Sequence, residues 1–173
     1  MMEESLMDII ERMEGLVPEY SYSDIENISS TDRAVKSFLS KQLRNAKDEM
    51  FHVVQTSYEL HRDRLSEAAE DVWDDLSALL ARIANSRECD PKGSAEHCEK
   101  CMKRVEKDMG NIIRRDRELV LKADEMNREL LRLKKMLFEK GREKQFIKNL
   151  DKIKTYIDEM HDLIEQREHS ILG

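Results

Sequence analysis

The chain has 173 residues, which suits a single domain, and 39% of its residues are charged while only 5% are aromatic. This composition, with 5 Gly and 2 Pro, predicts an all-α protein of long helices and excludes a thick apolar core. No apolar run approaches the roughly 18 residues that are needed to cross a membrane.

The charge is unevenly distributed along the chain. Residues 1–99 carry 11 basic and 22 acidic side chains, whereas residues 100–154 carry 18 basic and 10 acidic ones. The N-terminal sequence MMEESLMDII lacks the basic and long apolar regions of a signal peptide, and three cysteines imply no disulfide framework. We therefore expect a cytoplasmic protein without a membrane partner.

Residues 1–30 are predicted to form one short helix and a linker. Apolar side chains recur at helical spacing within residues 3–16. They are Leu6, Ile9, Ile10, Met13 and Leu16. Pro18 and the polar stretch SYSDIENISS then interrupt the pattern, and Ser30 or Thr31 is the expected N-cap of the next helix.

Residues 31–87 contain neither Gly nor Pro, and they are predicted to form one uninterrupted helix. Apolar side chains follow one another at helical spacing from Leu39 to Ile83, and His61 is the polar member of this stripe. The stripe is narrow, so this helix needs a partner helix to bury it.

A turn is predicted near residues 88–94, where Asp, Pro, Gly and Ser lie close together. Ser94 is the expected N-cap of a helix over residues 95–139. Two heptad seams run through this helix, one of them starting at Cys98, and Asp116 is their polar member. A heptad repeat of this length is typical of a coiled coil or a long bundle helix.

A second turn is predicted at Gly141, followed by a helix over residues 143–170, and a continuous helix with a slipped seam is the alternative. The predicted fold is an elongated antiparallel helical hairpin or coiled coil over residues 31–139, with a base of three to four helices. Because the two-helix part would expose apolar seams, we expect a homodimer. In this hairpin Asp116 would lie near His61 and form a polar contact that sets the register.

The segment RECDPKGSAEHCEKC, residues 87–101, holds all three cysteines of the chain. Cys89, His97, Cys98 and Cys101 are candidate ligands of a zinc ion, because tetrahedral zinc sites are built from Cys and His. Two other interpretations stay open. The cysteines are a reversible disulfide or another thiol site, or they only pack, with Cys98 in the seam. No other cofactor is expected.

Residues 132–154 hold nine basic and three acidic side chains. The favoured interpretation is that basic side chains pair with the acidic helix beside them, since flanking charges guide helix pairing. The alternative is a surface that contacts nucleic-acid phosphates. No nucleic-acid motif accompanies the segment, so nucleic acid is the less favoured partner.

No Gly-rich phosphate loop, nucleophile constellation or acid cluster indicates an enzyme. The sequence therefore favours a non-enzymatic scaffold or adaptor that acts through coiled-coil contacts, as a homo-oligomer or with another protein. A metal-binding or thiol-redox module at the Cys-bearing turn is the alternative. A nucleic-acid-associated factor that uses residues 132–154 is the third interpretation.

Overall fold

The computed structural model describes residues 3–173, and every regular element in this range is an α-helix, which confirms the all-α class. Five helices follow one another along the chain. They are α1 (Leu6–Leu16), α2 (Ile25–Glu59), α3 (Asp63–Ala84), α4 (Ala95–Met136) and α5 (Glu143–Leu172). None of these helices is long and apolar enough to cross a membrane.

Helix α1 is the short helix that the apolar spacing predicts. Its N-terminus carries a capping box, in which the Ser5 hydroxyl oxygen accepts a hydrogen bond from the Asp8 backbone N–H at 3.2 Å. The Asp8 carboxylate in turn accepts one from the Ser5 backbone N–H at 3.3 Å. The helix buries Ile9 and Met13.

Helix α2 begins six residues earlier than the sequence predicts, so the expected N-cap at Ser30 or Thr31 is wrong. The cap is instead provided by Asp24, whose side chain accepts a hydrogen bond from the Asn27 backbone N–H at 2.9 Å. Thr31 lies inside the helix, and its hydroxyl group donates a hydrogen bond to the Ser21 carbonyl at 2.7 Å. This bond fixes the linker against α2.

The prediction of one uninterrupted helix over residues 31–87 is also wrong, because α2 ends at Glu59 and α3 begins at Asp63. His61 adopts the left-handed conformation, with φ of 57°. The His61 N–H donates to the Tyr58 carbonyl at 3.0 Å, and the Arg62 N–H donates to the Ser57 carbonyl at 2.9 Å. These two bonds form a Schellman motif that usually contains Gly at the left-handed position.

Helices α4 and α5 confirm the predicted helices over 95–139 and 143–170. Ser94 is the predicted N-cap of α4, since its hydroxyl oxygen accepts a hydrogen bond from the His97 N–H at 3.1 Å. Gly141 lies between the two helices with φ of +76°, which confirms the predicted turn. The region 31–139 therefore contains three helices where the sequence predicts two.

The structure divides into two compact units. The first contains residues 3–39, Ile83–Val120 and Asp162–Gly173. Within it, Lys36 donates a hydrogen bond to the Arg87 carbonyl at 3.1 Å, which joins α2 to the loop between α3 and α4. Arg115 donates one to the Ser170 hydroxyl at 2.5 Å, which joins α4 to α5.

The second unit contains Ser40–Arg82 and Leu121–His161, and its four helical segments pack as a bundle. Two ion pairs join α4 to α5: Lys122 with Glu159 at 2.8 Å, and Glu129 with Lys152 at 3.2 Å. The partner in α5 comes earlier in the chain as the residue in α4 comes later. These segments are therefore antiparallel. Two polar contacts join α2 to α4, Gln42 with Asn127 and Glu49 with Lys134, and in each contact the two residues are 85 positions apart. These two segments are therefore parallel.

Replacing His61 by Gly should stabilise the protein. The left-handed conformation costs a residue with a Cβ atom roughly 1–2 kcal/mol, and part of the gain is offset by the greater freedom of Gly in the unfolded chain. We expect an increase of about 0.5–1 kcal/mol in the free energy of unfolding, measured with urea. His61→Ala keeps the Cβ atom and should give no increase. An equal gain in both variants would show that the left-handed conformation of His61 is not the source of the cost.

Candidate functional site

The predicted cysteine site lies in the first unit, where the loop after α3 meets the start of α4. Cys89 in the loop and Cys101 in α4 form a disulfide, with their Cα atoms 6.6 Å apart. Both residues are buried, at 1% and 0% exposure respectively. The bond closes a short loop and anchors it to the second turn of α4.

His97 lies one helical turn before Cys101, on the same face of α4. Its Nε2 atom is 3.7 Å from the Cys101 Sγ atom and accepts a hydrogen bond from the Asp90 backbone N–H at 3.2 Å. The ligand atoms of Cys89, His97 and Cys101 all lie within 4.8 Å of one another. A loop and a helix thus bring together three side chains that can each bind a soft cation.

Gly93 allows the His97 ring to lie against the loop. A Cβ atom at Gly93 would come within 2.9 Å of the His97 Cδ2 atom and 3.1 Å of the Asp90 carbonyl oxygen. Both distances are shorter than an ordinary van der Waals contact. The absence of a side chain at this position therefore leaves the space that the imidazole ring occupies.

Cys98 is placed differently from the other three predicted ligands. Its thiol is partly exposed and lies 3.6 Å from the Asp90 carbonyl and 3.7 Å from the Pro91 carbonyl, both of which can accept its weak hydrogen bond. The expectation that Cys98 packs in the buried seam is wrong, because Cys101 occupies the core at this level. From Val105 onwards the residues of the seam that starts at Cys98 are buried, among them Ile112 and Leu119.

The first unit also buries an ionic cluster centred on Arg167 of α5. The Arg167 guanidinium group donates hydrogen bonds to the carboxylates of Asp116 and Asp32 and to the Tyr22 hydroxyl, the last at 2.8 Å. Tyr20 and Tyr22 donate their hydroxyl protons to Asp116 at 2.8 and 2.5 Å. The linker, α2, α4 and α5 are therefore held together by one connected polar network.

The environment of this cluster shifts the pKa values of its members. Burial is the largest cause that raises the pKa of Tyr20 and Tyr22 far above 10, and the neighbouring Asp116 carboxylate adds to it. Burial alone would raise the pKa of Asp32, but Arg167 and Lys36 outweigh it and lower that pKa. The tyrosines therefore stay protonated and Asp32 stays ionised at neutral pH.

The predicted contact between Asp116 and His61 is wrong. Asp116 bonds to Tyr20, Tyr22 and Arg167, while His61 forms the turn between α2 and α3. The apolar spacing of α5 contained a signal for this cluster. Continued past Ile164, the spacing reaches Arg167, a polar residue at a position that should be buried.

Several cations of the basic segment 132–154 pair with acids of the second unit. Arg132 and Lys152 both contact Glu129, and Lys134 of α4 contacts Glu49 of α2. The contact of Lys134 with Glu49 is of the predicted kind, between the basic helix and the acidic one, whereas Glu129 belongs to α4 itself. These contacts also reduce the positive charge that a nucleic acid would meet.

An apolar surface of the second unit was not apparent from the sequence. Leu131 and Phe138 are seven residues apart and are 57% and 74% exposed. Phe138 borders a groove between α2 and the end of α4, which we call the α2–α4 groove. Its other lining residues are Glu49, His52, Val53, Thr56, Lys134 and Leu137.

Trp73 of α3 lies apart from this groove, beside α2. Its ring lies 6.4 Å from the Phe51 ring, centroid to centroid, and the Lys47 ammonium group lies 4.7 Å above it. Trp73 of α3 thus covers the contact with α2 and is held by a cation–π interaction.

Comparison with known proteins gives no relative: no protein-family model matches the chain, and neither a curated protein nor a solved structure is significantly similar to it.

The variant Asp32→Asn should destabilise the protein at pH 7 by about 3–5 kcal/mol, because it leaves Arg167 without one of its buried counter-charges. The lowered pKa of Asp32 means that the wild-type protein loses this stabilisation as the pH falls below about 4. The difference between the two proteins should therefore shrink between pH 5 and about pH 3, measured by urea unfolding.

The exposed Asp151 provides the control, since Asp151→Asn should leave stability nearly unchanged at both pH values. A difference between wild type and Asp32→Asn that stays constant with pH would contradict the role given to the Asp32 charge.

Proposed function

We propose that this protein is a non-enzymatic helical assembly protein, and that a second copy of the chain covers the α2–α4 groove through contacts of the coiled-coil type. The observation that carries the proposal is the exposure of Leu131 and Phe138. Leu131 lies near the C-terminus of α4 and Phe138 lies in the turn just after it, so one partner surface at this end of the helix can contact both. The cytoplasmic location expected from the sequence stays a prediction.

The energetic reason is the apolar area that these side chains leave in water. Burying a Leu or Phe side chain contributes roughly 1.5–3 kcal/mol. Two such side chains on each of two copies supply an apolar centre, around which a specific interface can form. Tyr58 and Leu60 are further exposed apolar residues of the second unit.

The charges at the groove favour a second copy over an unrelated partner. Glu49 of α2 and Lys134 of α4 lie in contact across the groove, so each copy presents both signs of charge. In a dimer with two-fold symmetry, residue i contacts residue j and residue j contacts residue i. Lys134 of one copy can then face Glu49 of the other, which makes the surface complementary to itself.

The ionic cluster of the first unit supports a structural role for its acids. Asp32 and Asp116 are both bonded to Arg167, and Asp116 also accepts hydrogen bonds from two tyrosines. Carboxylates that are engaged in this way hold helices in register. They are poorly placed to transfer protons to a substrate.

The assembly is tested by the mass of the protein in solution, measured by light scattering. The monomer has a mass of 20.4 kDa, so the wild-type chain should give a mass of twice 20.4 kDa. The double variant Leu131→Ser/Phe138→Ser should give the monomer mass, because it removes the apolar centre of the interface. Circular dichroism should show unchanged helix content, since both side chains are exposed.

The matched control is Met7→Ser/Leu16→Ser, which removes two exposed apolar side chains of α1. It should remain a dimer. A wild-type protein that is monomeric at every concentration would refute the assembly, and a Leu131→Ser/Phe138→Ser variant that stays dimeric would refute this surface.

A further inference from the structure

The cluster of Cys89, His97 and Cys101 combines two thiol groups with an imidazole nitrogen at a spacing that suits a metal ion. In tetrahedral zinc sites the Zn–S and Zn–N distances are about 2.3 and 2.0–2.1 Å, which places S and N ligands about 3.6 Å apart. The distance from Cys101 Sγ to His97 Nε2 is 3.7 Å. Little movement would be needed for these two atoms to share one ion.

We propose that the reduced chain binds one zinc ion through Cys89 Sγ, Cys101 Sγ and His97 Nε2, and that the zinc site and the Cys89–Cys101 disulfide are alternative states of the same two sulfur atoms. A set of three protein ligands leaves the fourth position of a tetrahedral ion for water. The site is formed by residues of the first unit, and it does not depend on the α2–α4 groove.

The loop and the helix that carry the three ligands are in place before an ion binds, and the two sulfur atoms of the disulfide separate on reduction. His97 and Cys101 are one turn apart on α4, a spacing that directs two ligands to one side of a helix. Gly93 leaves room for the imidazole ring, and the buried Cys89 is carried by a loop that is joined to α2 through the Lys36 contact with Arg87. Such preorganisation reduces the entropy that is lost on binding.

One existing interaction must change when the ion binds. The His97 Nε2 lone pair accepts a hydrogen bond from the Asp90 backbone N–H, and this lone pair would pass to zinc. Asp90 is exposed, so its N–H can bond to water instead. The cost of giving up this bond is therefore small in comparison with the binding of zinc.

Cys98 lies outside the proposed ligand set. Its thiol lies 3.6, 3.7 and 4.0 Å from the carbonyl oxygens of Asp90, Pro91 and Gly93. It therefore provides a matched control within the same fifteen-residue segment. A cysteine that does not bind the metal can be replaced without loss of metal affinity.

The two states are exchanged by a low-molecular-weight disulfide, RSSR, as the oxidant. One cysteine thiolate leaves zinc and attacks RSSR, so a mixed disulfide forms and RS⁻ leaves. The second thiolate then attacks the protein sulfur of that mixed disulfide and expels another RS⁻. The protein loses two electrons, RSSR gains two, and Zn²⁺ leaves to water, so that both atoms and charge balance.

The experiment uses the full-length protein, reduced without oxygen and titrated with Zn²⁺, or with Co²⁺ as a spectroscopic probe. We expect about one ion per chain and the thiolate-to-cobalt absorption of a tetrahedral site. The oxidised protein, with the Cys89–Cys101 disulfide intact, should bind neither ion. Adding RSSR to the zinc-loaded protein should release the ion in proportion to the disulfide that forms.

The variants identify the ligands. Cys89→Ser and Cys101→Ser should abolish the thiolate-to-cobalt absorption of the two-sulfur site, and His97→Ala should weaken zinc binding at least about tenfold. Cys98→Ser should bind with wild-type affinity. Gly93→Ala should weaken binding while circular dichroism shows intact helices, because the new Cβ atom displaces the His97 ring.

Several outcomes would overturn the proposal. Reduced wild-type protein that binds less than about 0.2 zinc per chain would show that no site exists. Equal binding by the oxidised protein would show that the sulfur atoms of Cys89 and Cys101 are not ligands of the metal. A loss of binding in Cys98→Ser would show that the ligand set is a different one. None of these results bears on the proposed dimer, which is tested by the mass of the protein in solution and by variants of the second unit.

Discussion

The narrow apolar stripe on each long helix is the constraint on which the structure depends. A chain with 39% charged and 5% aromatic residues cannot build a wide core, so its helices must bury their stripes against one another. In the second unit four helical segments do this, and charged pairs such as Lys122 with Glu159 lie beside the stripes. The same constraint explains why Leu131 and Phe138, which lie off the buried stripe, remain exposed.

In the first unit, Arg167 occupies a buried position on the apolar stripe of α5. Its three guanidinium nitrogen atoms donate hydrogen bonds to Asp116, Asp32 and Tyr22. A buried ion cluster often contributes less stability than apolar packing would, yet leaving one of its members unpaired is costly. We infer that the cluster contributes mainly to specificity, because the observed register of the linker, α2, α4 and α5 brings Tyr22, Asp32 and Asp116 together at Arg167. The Cys89–Cys101 disulfide acts on the same unit by fixing the loop before α4.

Features that repeat or that use characteristic residues could be predicted from the sequence. The heptads of α4, the Ser94 cap and the turn at Gly141 are of this kind. The break between α2 and α3 could not, because His61 adopts a left-handed conformation that is usually marked by Gly. The cysteine cluster was predicted as four candidate ligands, but the phase of the first turn of α4 decides that Cys101 is buried and Cys98 is not. The exposed surface was missed because a search for periodic apolar residues finds the buried face.

Zero-length crosslinking between carboxylates and amines tests most directly whether two copies of the chain meet at the α2–α4 groove, as we propose. Isotope-labelled and unlabelled chains would be unfolded together, refolded, crosslinked with a carbodiimide and analysed by mass spectrometry. We expect crosslinked peptides that join Glu49 of one chain to Lys134 of the other, recognised by their mixed isotopic composition. Crosslinks between these residues that occur only within chains of one isotopic composition would contradict the proposal.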